Sequence, residues 1–424
     1  MAGGIYTSGN PACTPRELAY QIKDCEPHFI LYRNPAQTYN FKQASYCYGD
    51  STCGQRVFYQ FGLTRIPIYN VTAMVMARNF VLNGDADCIL AVGLEKMSAG
   101  SLTSKFDDRT NPLRIAIEMS KKLDKSKNTR APFAAQMFGN AAEEYIQTNG
   151  ATAEDFAEIA RINHEHSQQN PYSQSQIKYT KQQILDSQRY MVDGAAAAVV
   201  VSQAFLEERP HLNPQAIQLP GQCLATDSPS LYDQTAKNIV GYEMAKYAAS
   251  QTLAQAQVTI SDVKVVELHD CFSANEMLVI DALGLSPPGR AHEYVREGFL
   301  TYGSRHAVIN PSGGLSSKGH PLGATGIAQC AELVWQLRGW ANNRLVSVPA
   351  GKVALQQNAG LGGACVVTIL KHADGRENRK MSDADVIEST GLGYNPAVEA
   401  RGIRAEQAEK VRSRHRDPDS LQRL

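Results

Sequence analysis

The longest uninterrupted apolar run in the chain is Ala195–Val201. A bilayer-spanning helix needs about 18 or more apolar residues, so a helical membrane span is excluded. The run has instead the length of a strand buried on both faces. Cys88–Gly93, Val263–Leu268 and Ala364–Lys371 are short apolar-rich runs of the same kind. Between them apolar residues recur at helical spacing, most clearly over Ala73–Leu82, which ends near Asn83-Gly84. Buried strands alternating with helices imply an α/β chain, with a parallel sheet covered by helices on its faces.

Size and charge narrow the function classes. The 424 residues correspond to two or three domains of about 100–200 residues each. Lys and Arg number 42 against 42 Asp and Glu. No global positive field exists to hold nucleic acid or an anionic membrane. The nine cysteines are scattered without a CxxC pair, so no zinc site and no other metal is expected. Met1–Asn10 lacks the basic start and apolar core of a secretory signal. The thiols are therefore read as reduced and mostly buried, in an intracellular compartment.

Residues 1–45 read as a separate piece. Thr14-Pro15-Arg16-Glu17 is a helix opening, with Thr as N-cap and Pro at the first position. Phe29–Tyr32 is a strand candidate. Residues 46–100 alternate, with a helical Cys53–Phe61 and a strand at Ile66–Val71. Residues 101–190 are polar and read as a loop domain, with helical pieces at Ala141–Tyr145 and Ala153–Arg161. Its Lys121–Lys127 run is a solvated helix face. Ala324–Leu337 reads as an amphipathic helix closed by Arg338-Gly339, and Val353–Gln356 and Ala364–Lys371 as a strand pair around a glycine turn. Residues 373–424 are rich in both charges and are expected to form a mobile or peripherally docked tail.

Three segments carry residue types that do chemistry. Asn310–Gly326 surrounds His320 with glycines and prolines, which makes a tight loop delivering an imidazole just before a helix. Such a His can act as general base or donate to an oxyanion. His269-Asp270-Cys271-Phe272-Ser273 closes a buried strand, and strand carboxyl ends are where open α/β sheets bind ligands. Gln356–Ala364 is a glycine turn between apolar strands, whose amides can line an oxyanion site or merely close a hairpin.

These segments, in this order, resemble the thiolase superfamily, in its sterol-carrier-protein-X branch. Further matching strings are Gly49–Arg56, Gly93–Ser98, Ala135–Gly139 and Asn170–Ser173, and the resemblance covers about residues 45–372. It implies two similar mixed-sheet halves stacked as αβαβα: an N-terminal half over 46–205 that includes the loop domain, and a C-terminal half over 206–372. It implies an acyltransferase acting on 3-ketoacyl-CoA by thiolysis or Claisen condensation. Coenzyme A is then a co-substrate, with no bound cofactor, and a homodimer in the peroxisome, or otherwise the cytoplasm, is the expected state. The implied catalytic residues are His320, Cys271 and His269. Asn310, Ser312, Gly313, Gly314, Gly319, Ala359 and Gly360 are the implied substrate-binding set.

The departures from that family are equally specific. The strand at Ile66–Val71 normally runs into a stretch bearing the nucleophilic Cys at a helix N-terminus, where the dipole lowers its pKa. Here Asn70-Val71 passes directly to Thr72-Ala73, so the N-terminal half is expected to be incomplete. The run before Asp193 is shortened, and Gln357 stands where that branch carries His. Met1–Leu31 resembles instead a fragment of an acyl-CoA synthetase of the coumarate-ligase type, and Phe29–Tyr32 is expected to cover the sheet edge so exposed. The last three residues, Gln422-Arg423-Leu424, partly match a peroxisomal signal. An active acyltransferase, a non-catalytic acyl-CoA-binding or partner-binding protein, and a degenerate gene product all fit this pattern.

Overall fold

The computed structural model describes residues 2–5, 29–33, 68–69, 73–95, 114–123, 133–185, 194–360 and 363–402. The helices read at Thr14–Glu17 and Cys53–Phe61, the shortened run before Asp193 and residues 403–424 lie outside them. The strands are β1 (Ala2–Ile5), β2 (Phe29–Arg33), β3 (Ile68–Tyr69), β4 (Cys88–Glu95) and β5 (Gly194–Val201), then β6 (Ile217–Ala225), β7 (Val263–Glu267), β8 (Val308–Ile309), β9 (Val353–Gly360) and β10 (Ala364–His372). The longer helices are α1 (Ala73–Leu82), α2 (Arg114–Leu123), α3 (Phe133–Asn149), α4 (Ala153–Ser167), α5 (Tyr242–Ala256), α6 (Ser273–Leu283) and α7 (Thr325–Arg338). No helix among the described residues is long and apolar enough to cross a membrane.

Two five-stranded sheets share one topology. The N-terminal sheet runs β1-β5-β4-β2-β3 and the C-terminal sheet β6-β10-β9-β7-β8. In each, the first two pairings are antiparallel and the last two parallel. The N-terminal sheet thus has the same strand count as its counterpart. Strand β2 lies alongside β4, from Phe29 opposite Ile89 to Arg33 opposite Gly93, and so extends the sheet past β4. Strand β3 has two residues, like its counterpart β8, and α1 opens at Ala73.

Helix α7 lies between the sheets, and this overturns its reading as amphipathic. Ile327 and Cys330 pack with Ala91, Ala198 and Val200 of the N-terminal sheet. Leu333, Val334 and Leu337 pack with Val265, Ala354 and Leu370 of the other. A helix covered on both sides has no polar face to show. Its polar Glu332 and Gln336 are buried and satisfied, Glu332 by both arms of Arg344 at 2.7 and 3.0 Å. Gly339, at φ 75°, ends the helix as expected.

Within the 101–190 segment the described residues form helices at Arg114–Leu123, Phe133–Asn149, Ala153–Ser167 and Lys181–Leu185, with irregular chain over 168–180, and pack on the C-terminal half. Phe138 of α3 stacks on Phe272 at 4.7 Å, and Asn163 of α4 reaches Asp270 and Glu276. Of the two states open to the tail, residues 373–402 take the docked one: Val386 and Ala397 are fully buried against Trp335 and Trp340.

Candidate active site

Strand β7 is buried except at Lys264 and delivers Glu267 to its carboxyl end. The chain then turns through His269-Asp270-Cys271 before α6 begins at Ser273. The neighbouring β9 carries Gln357 and Asn358 to the same end. The His269 backbone N–H donates to Gln357 Oε1 at 3.0 Å, and its Nδ1 lies 2.5 Å from Asn358 Oδ1. Asn275 Nδ2 donates to the His269 carbonyl. His320 arrives from the other direction, with its ring 4.8 Å from that of His269 and nearly perpendicular at 84°. Its Nδ1 lies 2.8 Å from Thr325 Oγ1. Cys271 is half-buried on the same turn. The structure therefore brings the rings of His269 and His320 together, with Cys271 on the same turn as His269.

The loop before His320 is framed by buried polar bonds. Asn310 takes φ 48°, and its Oδ1 accepts from the Leu268 N–H at 2.9 Å. Ser312 donates to Glu267 from N–H and hydroxyl at 3.0 and 2.8 Å, and Lys318 Nζ bridges Glu267 at 2.8 Å and Ser312 at 2.6 Å. Asp270 accepts from the N–H groups of Leu315 and Ser316 at 2.6 and 3.2 Å. Gly314, at φ 63°, leaves the space that the carboxylate fills, since a Cβ there would stand 2.2 Å from Asp270 Oδ2. Gly313 similarly abuts Ser167. These residues were read as substrate contacts; what the structure shows of Asn310, Ser312, Gly313 and Gly314 is a buried frame. Gly319, at φ 96°, turns the chain into His320. Ala359 and Gly360 are half-buried at the end of β9.

The loop also meets the N-terminal sheet. A Cβ on Gly93 would lie 2.3 Å from the Gly323 carbonyl, and one on Gly194 would lie 2.7 Å from Pro321. Glycine at these two strand positions lets the His320 loop seat against β4 and β5. The site thus sits where the strand ends of both halves converge.

Buried acids surround the site. Burial pushes the Glu267 carboxyl up, against the pull of Lys318. Burial does the same to Asp270, opposed by its backbone donors. Glu276 is raised well above the ordinary glutamate range, by burial and then by the Asp270 charge. Asn163 and Glu276 lie outside the segments that the sequence marks, whereas Thr325 and Asn358 lie inside the Asn310–Gly326 and Gln356–Ala364 segments without a role of their own there. A weak signal existed: Asn275-Glu276 interrupts an apolar helix, and Asn358 sits inside an apolar hairpin.

The sequence has no cysteine between β3 and α1, where the family resemblance expects the nucleophile. Cys88 is buried in β4, and burial pushes Cys330 and Cys365 up to about 12 and raises Cys223. Cys53 lies outside the described residues. Helix α1 opens with buried Ala73 and Met74.

Two family models match the chain. "Thiolase, N-terminal domain" covers residues 62–193 and "Thiolase C-terminal domain-like" covers residues 225–372. Sterol carrier protein 2 of Rattus norvegicus is 47% identical over 347 residues, 77% of this chain and 62% of that protein. The chain therefore spans less than two thirds of that relative. An acetyl-CoA acetyltransferase of Methanothermobacter thermautotrophicus is 30% identical, over 73% of this chain and 81% of that one. Among solved structures, an Ltp2-ChsH2(DUF35) aldolase superposes with a TM-score of 0.64 at 19% identity, covering 87% of this chain and 96% of that one. Nothing in these matches supports the acyl-CoA synthetase reading of residues 1–45, two of whose stretches are strands of the N-terminal sheet. The chain belongs to the thiolase family.

Proposed function

We propose that the chain binds acyl-CoA thioesters between the His269–Cys271 turn and the His320 loop, where the imidazoles polarise the thioester carbonyl and move protons. The contact between the two rings at the converging strand ends carries this reading. In thiolysis of a 3-ketoacyl-CoA, the sulfur of CoA joins the C3 carbon and the C2–C3 bond breaks. The released enolate takes a proton at C2. In this reading His320 accepts the thiol proton and Cys271 supplies the one at C2. Without an acyl-enzyme, CoA attacks directly. The test is CoA-dependent thiolysis of a medium-chain 3-ketoacyl-CoA by the purified full chain. His320→Ala is expected to lower it by about 10²–10⁴-fold, the usual worth of a general acid–base group.

A second reading is favoured by the passage from β3 to α1 without a cysteine, and by the likeness to an aldolase. Retro-aldol cleavage of a 3-hydroxyacyl-CoA needs no nucleophile. A base takes the hydroxyl proton, the C2–C3 bond breaks, and its electron pair forms the thioester enolate, which is protonated at C2. The products are a shorter acyl-CoA and an aldehyde or ketone. Release of that carbonyl compound without added CoA would mark this activity. Acyl-CoA binding with neither turnover would leave a binding protein. Homodimerisation and peroxisomal residence are proposed on the family resemblance alone. Light scattering of the purified chain and imaging of the tagged full chain test them.

A further inference from the structure

Each imidazole of the pair has its Nδ1 on a polar group that the fold fixes in place. His269 Nδ1 lies 2.5 Å from Asn358 Oδ1. An amide oxygen can only accept, so Nδ1 carries the proton. Asn358 is itself buried, and its amide nitrogen occupies space that a Cβ on Gly326 would enter at 2.7 Å. His320 Nδ1 lies 2.8 Å from Thr325 Oγ1, whose single proton is directed to the Pro321 carbonyl at 3.0 Å. The hydroxyl then has only a lone pair for the ring, and His320 donates to it. Two adjacent residues in the first turn of α7 therefore serve both rings: Thr325 by its hydroxyl, Gly326 by the room it leaves for Asn358.

From this juxtaposition we infer that Asn358 and Thr325 are positioning residues that hold His269 and His320 in the Nδ1–H tautomer. Nε2 is then the basic nitrogen of both rings. This rests on the reading of the two imidazoles as the acid–base groups of the site. Its consequence is chemical. A ring locked in this way takes up a proton at Nε2, and donates to a thioester oxygen from Nε2 only after doing so. Two such rings in contact make one base and one donor when they share a single proton.

Long-range proton–nitrogen NMR of the full chain with labelled histidine tests this, with His269→Gln and His320→Gln assigning the signals. At a pH where both rings are neutral, both are expected to show Nδ1–H. Thr325→Val keeps the shape of the side chain and removes the oxygen. It is expected to shift His320 towards a mixture of tautomers and to leave His269 unchanged, whereas Thr325→Ser keeps the wild-type signal. Asn358→Asp keeps the acceptor and is expected to retain Nδ1–H on His269 while raising the pH at which that ring loses its second proton. An Nε2–H signal on either ring of the wild type overturns the inference for that ring. So does a His320 signal unmoved in folded Thr325→Val. The wild-type spectrum decides the question even where a variant fails to fold. The readout does not depend on turnover, so absent thiolysis and a wrong tautomer are separate results.

Discussion

Glu276 is fully enclosed, and its hydrogen bonds come from the amides of Asn163 and Asn310 at 2.7 and 3.2 Å. Burial and the Asp270 charge hold its pKa well above the ordinary glutamate range in the folded protein. Between the unfolded and folded pKa values the native chain keeps a proton that the unfolded chain has lost. Stability from this group is complete below the unfolded pKa and is lost as pH rises through the folded one. Glu276→Gln keeps an oxygen for both amides and removes the titration. Melting curves across pH are expected to show the variant gaining on the wild type towards alkaline pH, with the gap closing towards acid. A gap that widens towards acid would refute the sign. Gly314 makes a second residue-scale case. Alanine there meets Asp270 at a backbone φ of 63°, so Gly314→Ala is expected to cost about 1–3 kcal/mol by overpacking, read by chemical denaturation.

At the scale of elements, α7 depends on the ion pair between its own Glu332 and Arg344 of the following loop, both buried. Arg344 Nη1 also donates to the Gln169 and Ala397 carbonyls, at 3.3 and 2.7 Å, tying α7 to the end of α4 and to the docked C-terminal segment. Removing one partner leaves the other charge buried and unpaired. Arg344→Ala is expected to destabilise the fold by about 3–5 kcal/mol. A loss under 1 kcal/mol in denaturant titration would mean that Glu332 finds water or another donor. This element also shows why sequence and structure parted. Ala324–Leu337 was readable as a helix, with its glycine stop, from local pattern alone. Its burial on two sides was not, because periodicity reports one-sided burial and fades when both faces are covered.

Across the whole molecule, the C-terminal segment is the place where docking can be watched directly. The chain has two tryptophans, Trp335 and Trp340, and both pack against Val386 and Ala397. Val386→Asp buries an unpaired carboxylate in that cluster, so the segment is expected to leave it. Tryptophan emission should then move to longer wavelength while the far-ultraviolet dichroism of the sheets and long helices persists. Unchanged emission would mean that the segment does not cover the indoles.

The sequence by itself determined the short buried strands, helix α1, the hairpin of β9 and β10, and the chemistry-bearing strings around His269 and His320. Each of these is written within a window of neighbouring residues, where burial, turn chemistry and spacing leave a local mark. Only the tertiary structure decided that β2 lies beside β4 and that α7 runs between the sheets. It alone separated the framing role of Asn310, Ser312, Gly313 and Gly314 from the ring contacts of His269 and His320. It alone brought Asn163 to Asp270 and Asn358 to His269. Those choices are made by contacts between distant stretches of chain. A buried polar group must find its partner wherever the fold places one, and no window of sequence contains both.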